Sequence, residues 1–201
     1  MNAVIDITGV VLETERLWLR PWKESDLDDF YEYASVPGVG EMAGWPPHAD
    51  KDVSRTVLER FINGKKTFAL VYKGNGKVIG SLGVEKYALE DKLSEFFDYK
   101  GRSIGYVLSK DYWGKGLMPE AVNRVISYLF DELDYDFLLS GHFDFNKRSS
   151  RVQEKCGFTP YRKLEFDTLL GHTEPGVLML KVNPKKNIKF VFSHPETLLI
   201  K

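Results

Sequence analysis

Residues 103–121 read SIGYVLSKDYWGKGLMPEA, and within them Gly114, Lys115 and Gly116 carry the strongest chemical signal in the chain. Glycine adopts positive φ without steric cost and lets a ligand come close to the backbone. A strand leading through such a turn into an apolar-faced helix leaves the N–H groups of residues 115–119 aimed outward, Pro119 excepted because it has none. The helix dipole there favours anions, so the chemistry is the holding of a phosphate or pyrophosphate. Two other phosphate motifs do not fit. No Gly-Lys-Ser/Thr follows at P-loop spacing, and Pro119 occupies the third glycine of a dinucleotide fingerprint. Taken alone, the turn reads equally well as a plain strand-to-helix connection.

Residues elsewhere offer less. His142, in SGHFD, weighs more as a structural or surface histidine than as a base. His48, His172 and His194 sit among loop-like residues without a His-Glu-x-x-His spacing, so no metal site is expected. Cys156 is the single cysteine and lies on an apolar helix face, which suits a small core residue and excludes an internal disulfide. Trp45, Pro46 and Pro47 suit either a pocket wall or a rigid packed loop. Glu24, Asp26, Asp28, Asp29 and Glu32 read as a solvated helix face.

The whole chain sets the bounds on these readings. Its 201 residues are 43% apolar and 28% charged, the balance of one ordinary globular domain. Twenty-eight basic against 29 acidic residues give a net charge of −1, which argues against a nucleic-acid partner. The start, MNAVID, has no basic region and meets Asp6 before any apolar run. Nowhere do about 18 apolar residues follow one another, so no membrane span is expected and the cytoplasm is the default location.

The elements that must position the turn follow from periodicity. Residues 10–20 read as one strand closed by Pro21, and Ser25 as the N-cap of a short helix reaching Ala34. The glycine- and proline-rich 37–47 segment is loop. A helix from near Asp50 carries Val53, Val57, Leu58 and Phe61 and stops before Gly64. Strands 67–72 and 77–87 flank Gly74-Asn75-Gly76, a hairpin signal, and 88–100 is a polar excursion. Strand 103–109, helix 117–130, strand 137–142 and helix 147–156 come next, the last stopped by Gly157. Strands 158–167 and 177–182 close the order as an antiparallel pair. After Pro184 the tail is basic at Lys185, Lys186 and Lys189, then apolar at Phe190, Val191 and Phe192. Together these make one α+β sheet, mixed but mostly antiparallel, not a regular βαβ series.

Three blocks carry a family resemblance. Residues 112–121, YWGKGLMPEA, closely resemble the acyl-CoA pyrophosphate loop of the GNAT superfamily of N-acetyltransferases. The closest likeness is to the branch of the ribosomal-protein N-terminal alanine and serine acetyltransferases. Residues 146–158, NKRSSRVQEKCGF, are similar to that branch's Asn-x-x-Ser…Glu-Lys-x-Gly-Phe signature, and 12–21, LETERLWLRP, to its first strand. The blocks occur in the family's order, and the resemblance spans about residues 11–183. It implies a single domain over 1–201 with 184–201 as an extension, about seven strands and about four helices. It also implies a V-shaped splay between strands 4 and 5 (103–109 and 137–142).

The implied activity is direct acetyl transfer from acetyl-CoA to a primary amine, with CoA as product. The acceptor would be a protein N-terminus or a small molecule such as an antibiotic, and the chain a monomer or homodimer. A non-catalytic CoA-binding sensor is the alternative of another class. By the same resemblance, backbone groups of Val107 and Leu108 pair with the pantetheine arm, and Gly114, Lys115, Gly116, Leu117 and Met118 hold the pyrophosphate. Asn146 hydrogen-bonds the pantetheine, and Ser149, near the thioester sulfur, is the proposed acid. A backbone N–H on strand 103–109 stabilises the oxyanion. Two departures stand out: Ser103 replaces a frequent glutamate, and Gln153 a frequent tyrosine. The base therefore stays open among Glu85, His142 and a water chain.

Overall fold

Leu17 and Leu19 are buried while Trp18 between them is exposed, the alternation expected of a strand with one face on a core. The computed structural model describes residues 1–87, 93 and 96–188, and everything below concerns those residues. The expected 10–20 strand is two strands, β1 (Leu12–Glu13) and β2 (Leu17–Pro21), paired antiparallel. Thr14 divides them. Its hydroxyl oxygen accepts the Leu17 N–H at 2.9 Å and its own N–H donates to the Leu17 carbonyl at 3.0 Å, folding 14–16 into a turn.

The sheet continues through β3 (Thr67–Tyr72), β4 (Val78–Glu85), β5 (Gly101–Leu108), β6 (Phe137–Phe143), β7 (Thr159–Asp167) and β8 (Thr173–Val182). Its order is β1-β2-β3-β4-β5-β6-β8-β7, and only β5 and β6 run parallel. One sheet of eight strands with four α-helices thus replaces the expected seven strands. Helices α1 (Leu27–Ala34) and α2 (Lys51–Gly64) cover one face, where Phe30, Tyr33 and Leu58 pack on Ala69, Val71 and Val78. Helix α3 (Leu117–Ser127) runs on into a wide turn at 128–132 and covers the other face together with α4 (Lys147–Lys155).

Several helix ends differ from expectation. Ser25 is not the N-cap of α1, because residues 24–26 form a tight 3-10 turn with Asp26 buried. The Asp26 carboxylate accepts from the two terminal nitrogens of the Arg20 guanidinium and from the Lys23 N–H, so it closes the turn from within. Asp50 does cap α2, accepting from the N–H groups of Asp52 and Val53 at 2.9 Å. Gly64 is the last residue of α2, and Lys65 takes the left-handed position at φ 50°. Most of the acidic run is paired: beyond Asp26, Asp28 pairs with Lys51, Glu32 with Lys77, and Asp29 with the Val78 N–H. Lys185 and Lys186 are paired as well, with Asp131 and with Asp134 and Asp136. Lys189, Phe190, Val191, Phe192 and His194 lie outside the described residues.

The feature that matters for function is where β5 and β6 part. They pair only at Gly101–Phe137, Arg102–Leu138 and Ser103–Leu139. At the next position the Ser140 hydroxyl donates to the Ile104 carbonyl at 2.9 Å in place of a ladder bond, and beyond it the strands splay. Phe137 anchors the closed end, fully buried and stacked on Phe96 at 4.3 Å between ring centroids. Phe137→Ala is expected to cost about 3–5 kcal/mol of stability, the range for a fully buried aromatic. Urea unfolding measures this as a lower midpoint at unchanged slope.

Candidate active site

Strand geometry decides which backbone groups face the splay. The Ile104 carbonyl points toward β6, since Ser140 donates to it, and the Ser109 N–H points the other way, to the Ile79 carbonyl at 2.7 Å. Backbone groups alternate sides along a strand, so those of Tyr106 and Leu108 face the opening while those of Val107 face β4. The Leu108 carbonyl is taken by the Trp113 indole N–H at 2.8 Å. Its N–H, and both groups of Tyr106, are left toward the opening. An extended ligand arm laid there would pair as an added strand.

The splay opens into a cavity of about 510 Å³ that runs from the 113–119 turn to the 37–47 loop. Gly114 and Gly116 both sit at φ 75°, a region that side chains rarely adopt, and Gly116 is the N-cap of α3. A Cβ built on Gly114 meets nothing within 4 Å, so the space above the turn is open. The turn is held from outside the cavity. The Glu120 carboxylate, in the first turn of α3, accepts from the Thr14 hydroxyl at 2.5 Å, the Arg16 N–H at 2.9 Å and the Arg16 Nε–H at 2.7 Å. Arg16 also donates to the Lys115 carbonyl at 2.9 Å, which ties the β1–β2 turn to the glycine turn at 114–116.

Burial pushes the Glu120 carboxyl up, but the bonds from Thr14 and Arg16 outweigh it and hold it below the ordinary glutamate value of 4.5. A lowered carboxylate stabilises the fold above its unfolded value, and that contribution is lost as pH falls through the lowered one. Glu120→Gln is therefore expected to flatten the loss of thermal stability below about pH 4.5. It should also raise KM for acetyl-CoA roughly three- to tenfold, the reach of about 1 kcal/mol of charge-assisted contact. Tm against pH and initial-rate kinetics check both.

Helix α4 supplies the opposite wall. Arg148, Arg151 and Lys155 line the cavity on that side, and the Arg148 guanidinium lies 4.7 Å from the Trp113 ring centroid. Asn146 caps α4: its side-chain oxygen accepts the Ser149 N–H at 3.1 Å, and its amide donates to the Met42 carbonyl at 2.9 Å. It thereby joins α4 to the 37–47 loop. The Tyr106 hydroxyl lies 3.0 Å from Ser149 Oγ and 3.1 Å from the Ser149 carbonyl. Burial pushes the Tyr106 phenol well up, so it stays protonated.

At the far end Val39, Met42, Ala43, Phe143 and Phe166 make an apolar mouth, and Asp167 is the one carboxylate lining the cavity among the described residues. The Leu169 N–H donates to the Gly44 carbonyl at 2.7 Å, so the β7–β8 turn and the 37–47 loop meet there. Trp45 is not part of the wall, since it packs against His48 at 5.1 Å. Cys156 is buried, donates weakly to the Pro119 carbonyl, and has its thiol raised to about 11 by burial. His48 is buried too, bonded to the Ser54 hydroxyl, and burial lowers its imidazole.

Of the residues singled out from the sequence, Leu108, Gly114, Gly116, Leu117, Met118, His142, Asn146 and Ser149 line this one cavity; Val107 also borders it, but its backbone is turned to β4, which corrects the expectation that it pairs with a ligand arm. Lys115 turns its ammonium over the Tyr112 ring at 5.0 Å and contributes backbone to the turn. Glu85 lies outside the lining, ion-paired with Lys66. Sequence reasoning passed over Tyr106, Arg16, Glu120, the basic side of α4 and the aromatic mouth. Spacing of 148, 151 and 155 at i, i+3 and i+7 is a readable signal for one helix face. Phe166 and Asp167 have no such signal, because only the return of β7 across β8 brings them near the loop.

The family model described as the acetyltransferase (GNAT) domain matches residues 16–159. A Bacillus licheniformis protein named "uncharacterized N-acetyltransferase p20" is 31% identical over 128 residues, covering 61% of this chain and 67% of that one. Among solved structures, the ribosomal-protein-S5-alanine acetyltransferase of Vibrio fischeri superposes with a TM-score of 0.68 at 23% identity. That match covers 87% of this chain and 97% of the other. The microcin C7 self-immunity acetyltransferase MccE, solved with acetyl-CoA and AMP, superposes with a TM-score of 0.69 at 19% identity, covering 84% and 93%. At such identities the structural likeness speaks for the fold. No helix among the described residues is long and apolar enough to cross a membrane.

Proposed function

The chain belongs to the GNAT acetyltransferase family and is an acetyl-CoA-dependent N-acetyltransferase, and from that premise we propose that its acceptor is the α-amino group of a protein N-terminus. The observation that carries this reading is the character of the acceptor end, apolar and aromatic with Asp167 as its single carboxylate among the described residues. Polyamines and aminoglycosides are polycations, and a site built for them needs several acidic groups to replace their hydration. A chain end brings one ammonium followed by small side chains, which one carboxylate and an apolar mouth suit. The catalytic domain in this reading is about residues 11–183.

The residues present fit acetyl-CoA. Amides of Gly114, Lys115, Gly116, Leu117 and Met118 would hold the pyrophosphate, with Arg148, Arg151 and Lys155 placing positive charge beside the phosphates. Tyr106 and Leu108 would receive the pantetheine arm, and the Leu108 or Tyr106 N–H is the donor available for an oxyanion. Once bound, acetyl-CoA supplies the thioester carbonyl that the amine attacks and the thiol that leaves. Ser149 holds a hydroxyl proton for that sulfur, with the Tyr106 hydroxyl 3.0 Å away to fix its position. His142 is the base that takes the acceptor's proton, since it lines the cavity and Glu85 does not.

The test is a mass-spectrometric transfer assay with acetyl-CoA and a mixed acceptor panel. Peptides with N-terminal Ser, Ala or Met compete there with polyamines, aminoglycosides and free amino acids. Transfer to Ala- or Ser-started peptides at rates at least about 100-fold above the polycations is expected, the size of discrimination a mismatched polar site imposes. Transfer confined to polyamines or aminoglycosides would overturn the reading.

A further inference from the structure

We propose that Gln153 is a positioning residue that fixes the protonation pattern of His142, through a directed chain of hydrogen bonds that starts at the Ile104 carbonyl at the base of the splay. The inference rests on the reading of His142 as the base. Each bond in the chain has only one permitted direction. The Ile104 carbonyl can only accept, so the Ser140 hydroxyl spends its single proton there, at 2.9 Å. Ser140 Oγ is left as an acceptor, and Gln153 Nε2 donates to it at 2.8 Å. The same nitrogen donates to the Gly141 carbonyl at 3.0 Å, another group that can only accept. The amide of Gln153 therefore cannot be turned around, and its oxygen must face His142. That oxygen lies 2.6 Å from His142 Nδ1 and can only accept, so Nδ1 carries the hydrogen.

A neutral imidazole has one hydrogen to place. With it on Nδ1, Nε2 holds a free lone pair, and no described residue hydrogen-bonds that nitrogen. His142 lines the cavity, so it is prepared as an acceptor of a proton and not as a donor. In the step the acceptor ammonium's N–H bond breaks, the proton joins the Nε2 lone pair, and the amine nitrogen keeps the electron pair with which it attacks. The imidazolium keeps its Nδ1–H bond to Gln153 and returns the Nε2 proton to solvent afterwards.

Burial gives the chain its rigidity. Gln153 and Ser140 are each 1% exposed, so water does not compete for their bonds, and breaking one member strands the others at a cost that enforces the pattern. The arrangement spans β5, β6 and α4, the three elements that define the splay. It also gives position 153 work other than that of an acid: the amide is used up in holding the imidazole, while the paired hydroxyls of the cavity wall are those of Ser149 and Tyr106.

Long-range nitrogen–proton correlation spectra of the full-length protein, at a pH where the ring is neutral, read this directly. His142 is assigned by loss of its signals in His142→Gln. The wild-type ring is expected to show Nδ1 protonated and Nε2 bare, and Gln153→Met, which keeps volume and removes the amide, to shift it largely to the Nε2–H form. In the same variant kcat should fall about tenfold while KM for acetyl-CoA stays within about twofold, the split expected for a lost base orientation. Should Gln153→Met fail to fold, the wild-type spectrum and Ser140→Ala, which removes the anchor of the amide, carry the test. An Nε2–H ring in the wild type, or an unmoved ring in the folded variants, overturns the proposal. A ring that moves with kcat unchanged leaves the tautomer relay standing and removes His142 as the base.

Discussion

Replacing Gly114 and Gly116 together by aspartate is expected to lower acetyl-CoA affinity at least about 100-fold, with the fold intact. Both glycines sit at φ 75°, so each side chain strains the turn and tilts the amides that follow it. Each aspartate also sets a carboxylate near the pyrophosphate. At about 6 Å and an effective permittivity near 20, one such pair repels by about 3 kcal/mol, which alone is a factor of about 100. The backbone strain should cost about 1–3 kcal/mol at each site, but no clash adds to it, because a Cβ on Gly114 meets nothing and one on Gly116 meets only the Arg16 guanidinium at 3.6 Å, so the variant stays folded. Calorimetric titration with acetyl-CoA, alongside a thermal melt, measures both. Unchanged affinity in a folded variant would move the phosphate site elsewhere.

The second large effect is at His142. His142→Gln is expected to lower kcat about 100-fold near neutral pH, within the range that a positioned base contributes. The deficit should shrink as pH rises past about 8, where an α-amino group is already neutral and needs no base. A lysine side chain, with its value near 10.4, would stay dependent on the base through that range, so the pH at which the variant recovers reports the kind of amine. Rates from about pH 6 to about pH 10 with one Ala-started peptide give the profile. A deficit below about threefold at neutral pH, with acetyl-CoA binding unchanged, would pass the role to water.

These expectations divide by what local chemistry can show. The turn at 114–116 is legible because two glycines between a strand and an amphipathic helix are a local solution to a local problem, namely positive φ and exposed amides. Helices α2, α3 and α4 were legible for the same reason, since caps such as Asp50 and Asn146 act within three residues of themselves. Ser25 misled because Asp26, one residue on, makes its decisive bonds to Arg20 across a turn. The break at Thr14 was missed because alternation continues through 10–20 while a single hydroxyl folds the chain back.

The choice between Glu85 and His142 belongs to tertiary structure. Glu85 stands at the end of β4 and His142 near the end of β6, and nothing in their neighbours along the chain separates them. Lys66, 19 residues away, claims Glu85, and Gln153, 11 residues away, claims His142 through its Nδ1. By itself the sequence determined the family, most of the sheet-and-helix order and the glycine turn ahead of α3, all of which depend on residues close together in the chain. The orientation of Tyr106, the Arg16–Glu120 brace across 104 residues and the apolar mouth of the cavity were decided only by folding. The reason is physical: a side chain's protonation state and reach depend on which dipoles and charges surround it, and in this sheet those come from strands distant in sequence.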